Sequence, residues 1–158
     1  MTQPGLTLTI EGVAEVERML EAPAERAADP RFIFRAIVPD FQREMRREFT
    51  SEGRTGGKPW WPLAPATLER KSAEGLPLLI LEASGKLKAS LVGTGRTGRL
   101  VSVTKRSVTL GTRLSYAHIL RAGSRKIWLP PRQVLVSPGT ERRWLEAVEA
   151  GILEGRRP

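Results

Sequence analysis

Residues 34–63, FRAIVPDFQREMRREFTSEGRTGGKPWWPL, decide how this chain folds. Apolar side chains recur in the first half at steps of three and four, the spacing of one buried helical face: Phe34, Val38, Phe41, Met45 and Phe49. Pro39 lies inside this pattern, and proline removes a backbone donor and crowds the preceding turn. We therefore predict one kinked helix rather than two helices. The glycines and prolines of residues 50–63 predict an extended loop after it.

Composition and charge limit the class of protein. A chain of 158 residues is long enough for one domain with its own core. It has no cysteine, which removes disulfide frameworks and zinc-thiolate sites. Residues 1–30 carry a net charge of −4 and the remainder +13, so the basic part can attract nucleic acid or an acidic protein. The chain shows no signal-peptide pattern and no apolar run of 18 residues, so we expect a protein that does not enter a membrane.

Periodicity and turn residues predict the remaining elements. We expect helices at 13–22, 64–73, 86–91 and 138–154, a helical turn at 116–120 and an Ala/Pro/Glu-rich link at 22–30. Strands are expected at 5–10, 100–103, 107–110, 127–129 and 134–136, with the second and third forming a hairpin. The predicted fold class is α+β: a small mixed or antiparallel sheet packs against the long kinked helix and a C-terminal helix, with long Gly/Pro-rich loops. We expect residues 1–158 to form one domain, with an acidic β-α segment at 1–30 and a C-terminal helix and tail at 138–158.

Two glycine-rich patterns resemble nucleotide-binding motifs without meeting their requirements. Residues 93–98, GTGRTG, satisfy G-x-G-x-x-G, but a dinucleotide fingerprint must open a helix after a strand, and this one leads into a strand. Residues 53–58 resemble a phosphate loop, yet the spacing is one residue short and Pro59 replaces the required Ser or Thr. We expect no cofactor at either place.

A row of carboxylates along the long helix also needs an interpretation. Asp40, Glu44 and Glu48 follow one another at i, i+4 and i+8 and could hold a hard cation. Since arginines alternate with them, we favour a solvated helix face. With a single histidine and no convincing pair of nucleophile and base, we expect no metal site and no enzymatic activity.

Five short signatures occur in order along the chain: GGKPWWPL at 56–63, ILEASGKLKASL at 80–91, LGT at 110–112, YAHILRAG at 116–123 and LPPR at 129–132. With the aromatic helix that ends at Phe49, this set resembles the phage virion morphogenesis family of tail-completion and neck proteins, over roughly residues 30–137. Family members commonly place His-Gln after Tyr-Ala, where this chain has Leu120 and Arg121, and its only histidine, His118, lies two positions earlier. The departure argues against a role for the histidine.

The resemblance implies a structural protein that assembles as a ring at the head-proximal end of the tail, or in the neck between portal and tail tube. The implied partners are further copies of this chain in a hexameric ring, a tail tube or tail terminator protein, and a portal-side connector protein. DNA that passes through the channel is a further candidate contact, and no membrane is involved. The implied location is the virion, and the host cytoplasm during assembly.

Seven residues are candidates for such interfaces: Trp60, Trp61, Arg96, Arg99, Tyr116, Arg121 and Arg132. We favour Trp60 as the tryptophan that meets a partner and Trp61 as the one that pins the loop to the core. Tyr116 is expected to pack with its hydroxyl bonded to a nearby loop. Arg132, displayed after two prolines, is equally suited to a carboxylate of another subunit and to one of its own chain. We expect Trp60→Ala and Arg132→Ala to leave the monomer folded and to weaken assembly.

Two further expectations concern assembly. Loops 50–63 and 92–99 would become ordered on assembly, and the acidic segment 1–30 would pack against the basic body of a neighbouring subunit. The main alternative function is non-specific nucleic-acid binding, because nine cationic side chains lie between residues 86 and 125. Tyr116 is the only aromatic residue there, so the stacking platform of single-strand binders is missing.

Overall fold

A computed structural model describes residues 13–155, with side chains from Met19 onward. The helices are α1 (Val13–Ala28), α2 (Arg31–Thr50), α3 (Pro65–Ala73), α4 (Lys86–Val92), α5 (Ala117–Ala122) and α6 (Pro138–Leu153), and the strands are β1 (Arg99–Val103) and β2 (Val108–Thr112). This arrangement is α+β, as predicted. The strand predicted at 5–10 lies outside the described residues.

Helix α2 is the centre of the fold. It is one helix of 20 residues that continues through Pro39, which confirms one helix rather than two. Its buried apolar side chains are Ile33, Ile37, Phe41, Met45 and Phe49. The predicted Phe34 and Val38 are half-buried at its edge, because Ile33 and Ile37 hold the inward positions of the first two turns. The main core cluster continues from α2 to Trp60, Ile80, Leu87, Leu91 and Val92.

The link predicted at 22–30 is wrong, since α1 continues through Pro23 to Ala28. Alanines favour the helical backbone, and a tertiary contact supports its last turn. The Arg26 guanidinium donates to the carbonyls of Ile152 and Leu153 at 2.7 and 2.8 Å. These carbonyls lie at the C-terminus of α6, where a helix has backbone acceptors without intrahelical donors. One side chain therefore joins the two helices.

The hairpin predicted around residues 100–110 is confirmed. Its strands pair antiparallel from Arg99 with Thr112 to Val103 with Val108, and it packs against α2 and α4. The predicted strands at 127–129 and 134–136 are wrong: β1 and β2 form the one sheet in residues 13–155, apart from an isolated bridge between Ser124 and Leu129.

The C-terminal helix α6 begins as the sequence predicts. Pro138 occupies its first turn, and the Ser137 hydroxyl accepts from the N–H of Thr140 at 3.4 Å. The Trp144 ring lies 6.4 Å from that of Phe41, which fixes α6 on α2. Among the helices described, none is long and apolar enough to cross a membrane.

Candidate interaction surfaces

The carboxylate row of α2 is a structural tie rather than a solvated face. Glu48 is fully buried, and its two oxygens accept from the N–H of Gly56 at 2.7 Å and from the N–H of Leu135 at 3.3 Å. Glu44 is buried as well and accepts from the N–H and the hydroxyl of Ser137 at 3.2 and 2.6 Å. At residues 134–136, where a strand was predicted, the Leu135 N–H is taken by Glu48 rather than by a neighbouring strand. No cluster of three metal-ligating side chains occurs in the described part of the chain.

The two ends of this row differ in electrostatics. Burial raises the pKa of Glu48; the hydrogen bonds from Gly56 and Leu135 oppose this, and nearby Glu44 adds to it, so the pKa lies above its usual value. At Asp40 burial also raises the pKa, but hydrogen bonds from Arg43, Arg143 and Trp144 outweigh it and hold the pKa well below its usual range. Asp40 thereby anchors the first turns of α6 to α2, with the Trp144 indole nitrogen 2.7 Å from its carboxylate.

The structure reverses the roles predicted for the two adjacent tryptophans. Trp60 is only 6% exposed, contacts Phe49 edge to face at 5.3 Å, and donates its indole N–H to the carbonyl of Gln133 at 2.8 Å. Trp61 is 62% exposed. Gly53 makes this arrangement possible, since it adopts a φ of +89° and a side chain there would collide with the Trp60 ring. Trp60 belongs to the core, and Trp61 is the one available to a partner.

Loop 50–63 is accordingly held within the monomer. Besides the bond from Gly56 to Glu48, the N–H of Trp60 donates to the carbonyl of Glu52 at 2.8 Å and the N–H of Lys58 to Gly53 at 3.1 Å. The backbone donors of residues 50–60 therefore have partners inside the chain, which argues against the expectation that this part of the loop becomes ordered on assembly.

Arg132 is buried, and its partners are backbone carbonyls rather than a carboxylate. Its guanidinium donates to Trp61 and Pro62 at 3.0 and 3.1 Å, and burial lowers its pKa. It forms no ion pair with the described residues. The displayed arginine predicted from the two prolines is thus wrong: Arg132 joins the segment after Pro131 to the end of the Trp-Pro loop.

Lys71 is a second buried cation that the sequence analysis did not assign. Its ammonium donates to the carbonyls of Leu79 and Glu82 at 2.7 and 2.8 Å, and burial lowers its pKa. This contact shapes the loop after α3, where Leu78 and Leu79 are half-exposed. A lysine between polar neighbours gives no sequence signal for such a role.

The other predicted interface residues lie on the surface. Arg96, Arg99 and Arg121 are exposed and form no ion pair with residues 13–155. Arg121 and Arg132 line a common cavity of about 440 Å³ with His118. Tyr116 is 38% exposed, and its hydroxyl finds no hydrogen-bond partner in the described chain, contrary to the prediction. Arg96 and Arg99 do not line that cavity and lie on the loop and strand after α4.

A short turn that the sequence analysis did not select carries the most exposed aromatic residue described. We call residues 124–129 the finger. Its base is closed by backbone hydrogen bonds of 2.8 and 2.9 Å between Ser124 and Leu129, and its tip exposes Arg125, Lys126, Ile127 (64%) and Trp128 (92%). Trp128 has a φ of +51°, a conformation unfavourable for a bulky side chain. The signal available in the sequence was an aromatic and a β-branched residue beside two cations, one residue before Pro130-Pro131.

An open apolar groove lies on another part of the surface. Its walls come from three elements: Phe34 and Ile37 of α2, Leu110 of β2, and Trp144, Leu145 and Val148 of α6. The groove encloses about 580 Å³, and Leu145 at its rim is 72% exposed. Glu141 is the one charged side chain among the described residues that line it. Such an apolar surface is typical of a site for another protein.

Residues 93–98 have the context that the sequence predicted. They follow α4 and lead into β1, so the G-x-G-x-x-G pattern here opens a strand. Gly93 adopts a φ of +81° at the end of α4, where glycine allows the left-handed conformation that commonly terminates a helix. The pattern is a helix end followed by a loop.

Comparison with known proteins supplies the class of protein. The model of the phage virion morphogenesis family matches residues 12–150. The chain therefore belongs to the phage virion morphogenesis family, as the ordered signatures indicated, and its role lies in building the phage particle. No curated protein and no solved structure shows a significant match to it.

Proposed function

We propose that this protein is a structural component of the virion neck or tail end, and that copies of it form a ring that completes the tail and joins it to the head connector. The ring has six subunits in this proposal, to match the symmetry expected of a tail tube. Its neighbours are a tail tube or tail terminator protein on one side and a portal-side connector protein on the other, and its role is not enzymatic.

One observation carries this proposal: the buried polar side chains of the described residues have partners within the chain, yet large apolar side chains are left in water. No buried side-chain donor or acceptor of the described residues lacks a partner. In contrast, Met19, Trp61, Trp128 and Leu145 are each more than 60% exposed. A monomer that is internally complete and still exposes apolar side chains in several places is suited to contacts with several neighbours.

An infection in which this gene is disrupted tests the proposal. We expect filled heads and separate tails by electron microscopy, and joined particles when the intact chain is supplied from a plasmid. Antibody labelling of those particles should mark the head-tail junction. Normal particles without the protein, or label distributed along the whole tail, would contradict the proposal.

Non-specific nucleic-acid binding stays as a second candidate because of one added observation. Trp128 is exposed beside Arg125 and Lys126, so an aromatic side chain does accompany the cations. Binding of labelled single-stranded and duplex DNA to the purified protein at several salt concentrations tests this candidate. A steep fall in affinity with salt, together with a loss of single-strand binding in Trp128→Gly, would support it.

A further inference from the structure

We propose that the finger of one copy inserts into the apolar groove of the next copy, and that this contact joins neighbouring subunits of the ring. This contact rests on the proposed ring and specifies the two surfaces through which neighbouring subunits meet. It depends on three properties of the described residues: the rigidity of the finger, the chemistry of the groove, and the signs of their charges.

The finger is built to hold its apolar tip in one position. The bridge between Ser124 and Leu129 closes its base, and the N–H of Trp128 donates to the carbonyl of Arg125 at 3.3 Å. Behind it, Gly123 has a φ of +73° and packs so closely on Leu129 and Pro131 that a side chain would not fit. A tip ordered before binding loses little conformational entropy on association. Because the Trp128 indole is 92% exposed, holding it in one position does not bury it within its own chain.

The groove provides an apolar surface that can cover the exposed tip of the finger. Several of its lining side chains, including Phe34, Trp144 and Val148, are half-buried in the single chain. The rim residue Leu145 projects into water on α6. An inserted Ile127 and Trp128 would cover these surfaces while losing their own contact with water, and tryptophan is prominent among residues that dominate interface energies.

Charge favours a second copy as the occupant. The finger carries Arg125 and Lys126 beside its apolar tip, whereas the groove carries Glu141. The basic finger therefore meets an apolar surface whose one charged lining side chain, among the described residues, is acidic. Because finger and groove are different surfaces, each copy uses both, and such head-to-tail contacts generate rings when the rotation closes.

Sedimentation of the full chain over a series of concentrations tests the contact. Trp128→Gly removes the indole and suits the positive φ, and Leu145→Glu places a charge on the groove without touching the core. We expect each change to lower the association constant about 30-fold or more, the effect of losing an interface hot spot. Two matched controls, Leu78→Ala on another exposed loop and Leu153→Glu on α6 outside the groove, should assemble like the unmodified chain.

Mixing the two deficient variants gives a result that few other interfaces would produce. Trp128→Gly retains a groove and Leu145→Glu retains a finger, so we expect a dimer with one copy of each and nothing larger. A reciprocal charge reversal gives a second readout: Arg125→Glu with Lys126→Glu weakens assembly, and adding Glu141→Arg restores part of it.

Three outcomes would overturn the inference. If both variants assemble like the unmodified chain, the finger and groove do not meet, although the proposed ring stands. If the unmodified chain stays monomeric at every concentration, the contact between copies is wrong, and the gene-disruption experiment still decides the proposed function. If a short duplex DNA binds the unmodified chain but not Trp128→Gly, and neither associates with itself, the finger is a DNA-binding element instead.

Discussion

The adjacent tryptophans give a sharp test of the core. Trp60→Ala removes an indole that is 6% exposed, and such truncations in cores cost about 3 to 5 kcal/mol. It also removes the hydrogen bond to Gln133 and the edge contact with Phe49. A hydrogen bond contributes about 1 kcal/mol and the contact overlaps with the cavity cost, so we expect a loss of about 4 to 5 kcal/mol. This is a large share of the roughly 5 to 15 kcal/mol typical of a whole domain.

Urea unfolding followed by circular dichroism measures this loss. In thermal unfolding, a loss of 1 kcal/mol lowers the melting temperature of a domain of this size by about 2 to 4 °C, so that of Trp60→Ala should fall by roughly 8 to 20 °C. Trp61→Ala is the matched control, because Trp61 is the same residue type in the next position and is 62% exposed. We expect that control to change stability by no more than about 0.5 kcal/mol. Trp60→Phe should fall between the two.

Similar losses in the two alanine variants would refute the assignment of Trp60 to the core and Trp61 to the surface. A loss below about 1 kcal/mol for Trp60→Ala, with reversible two-state unfolding, would do the same. The result also separates stability from assembly. An assembly defect in Trp60→Ala follows from unfolding alone, whereas one in the stable Trp61→Ala would mark an interface.

Three further changes test the buried polar ties. Glu48→Gln turns an amide NH₂ toward one of the two backbone N–H groups that now donate to the carboxylate, so the free energy of unfolding should fall by about 1 to 2 kcal/mol. The control Glu69→Gln, at an exposed position, should change it by no more than about 0.5 kcal/mol. Equal losses in the two variants would contradict a buried Glu48. Asp40→Asn should cost about 2 kcal/mol at neutral pH. Because the pKa of Asp40 is depressed in the folded protein, its stabilising contribution is present above the unfolded pKa near 4 and is lost as pH falls through the folded pKa. The difference in unfolding free energy between Asp40→Asn and the unmodified chain should therefore be smaller at about pH 3 than at neutral pH. An unchanged difference would contradict the ion pair. Arg132→Lys should lose about 2 kcal/mol, since an ammonium lacks the planar fork that reaches two carbonyls, and unchanged stability would remove Arg132 from the structural ties.

Elements with a regular period were predictable from the sequence. The α2 stripe from Phe41 to Phe49, the hairpin and the start of α6 each depend on local spacing and turn chemistry that a single segment contains. The family was predictable too, because short ordered signatures carried it. The link at 22–30 failed since Pro23 suggested a break, while the bonds that hold the end of α1 come from α6, about 126 residues away.

Residues whose role depends on distant partners were not predictable. Trp60 and Trp61 are neighbours, and the choice of the inward one depends on Phe49 and on the carbonyl of Gln133. Glu48 resembles a surface residue because arginines lie next to it in sequence. In the structure its carboxylate oxygens accept hydrogen bonds from the backbone N–H groups of Gly56 and Leu135. The residue pattern of α2 alone does not indicate that the backbone N–H groups of Gly56 and Leu135 need Glu48 as their acceptor.

The Glu44 and Glu48 ties have a consequence for motion within the protein. Segment 133–137 and the turn at 53–57 contain no helix or strand in the described chain, and such segments ordinarily exchange their amide hydrogens with solvent quickly. Here the amides of Gly56, Leu135 and Ser137 end on carboxylates that are buried on the central helix. Their hydrogens should exchange only when α2 itself separates from them, at rates close to those of the helix core. Although they lie in irregular segments, these three amides are expected to be among the slowest to exchange.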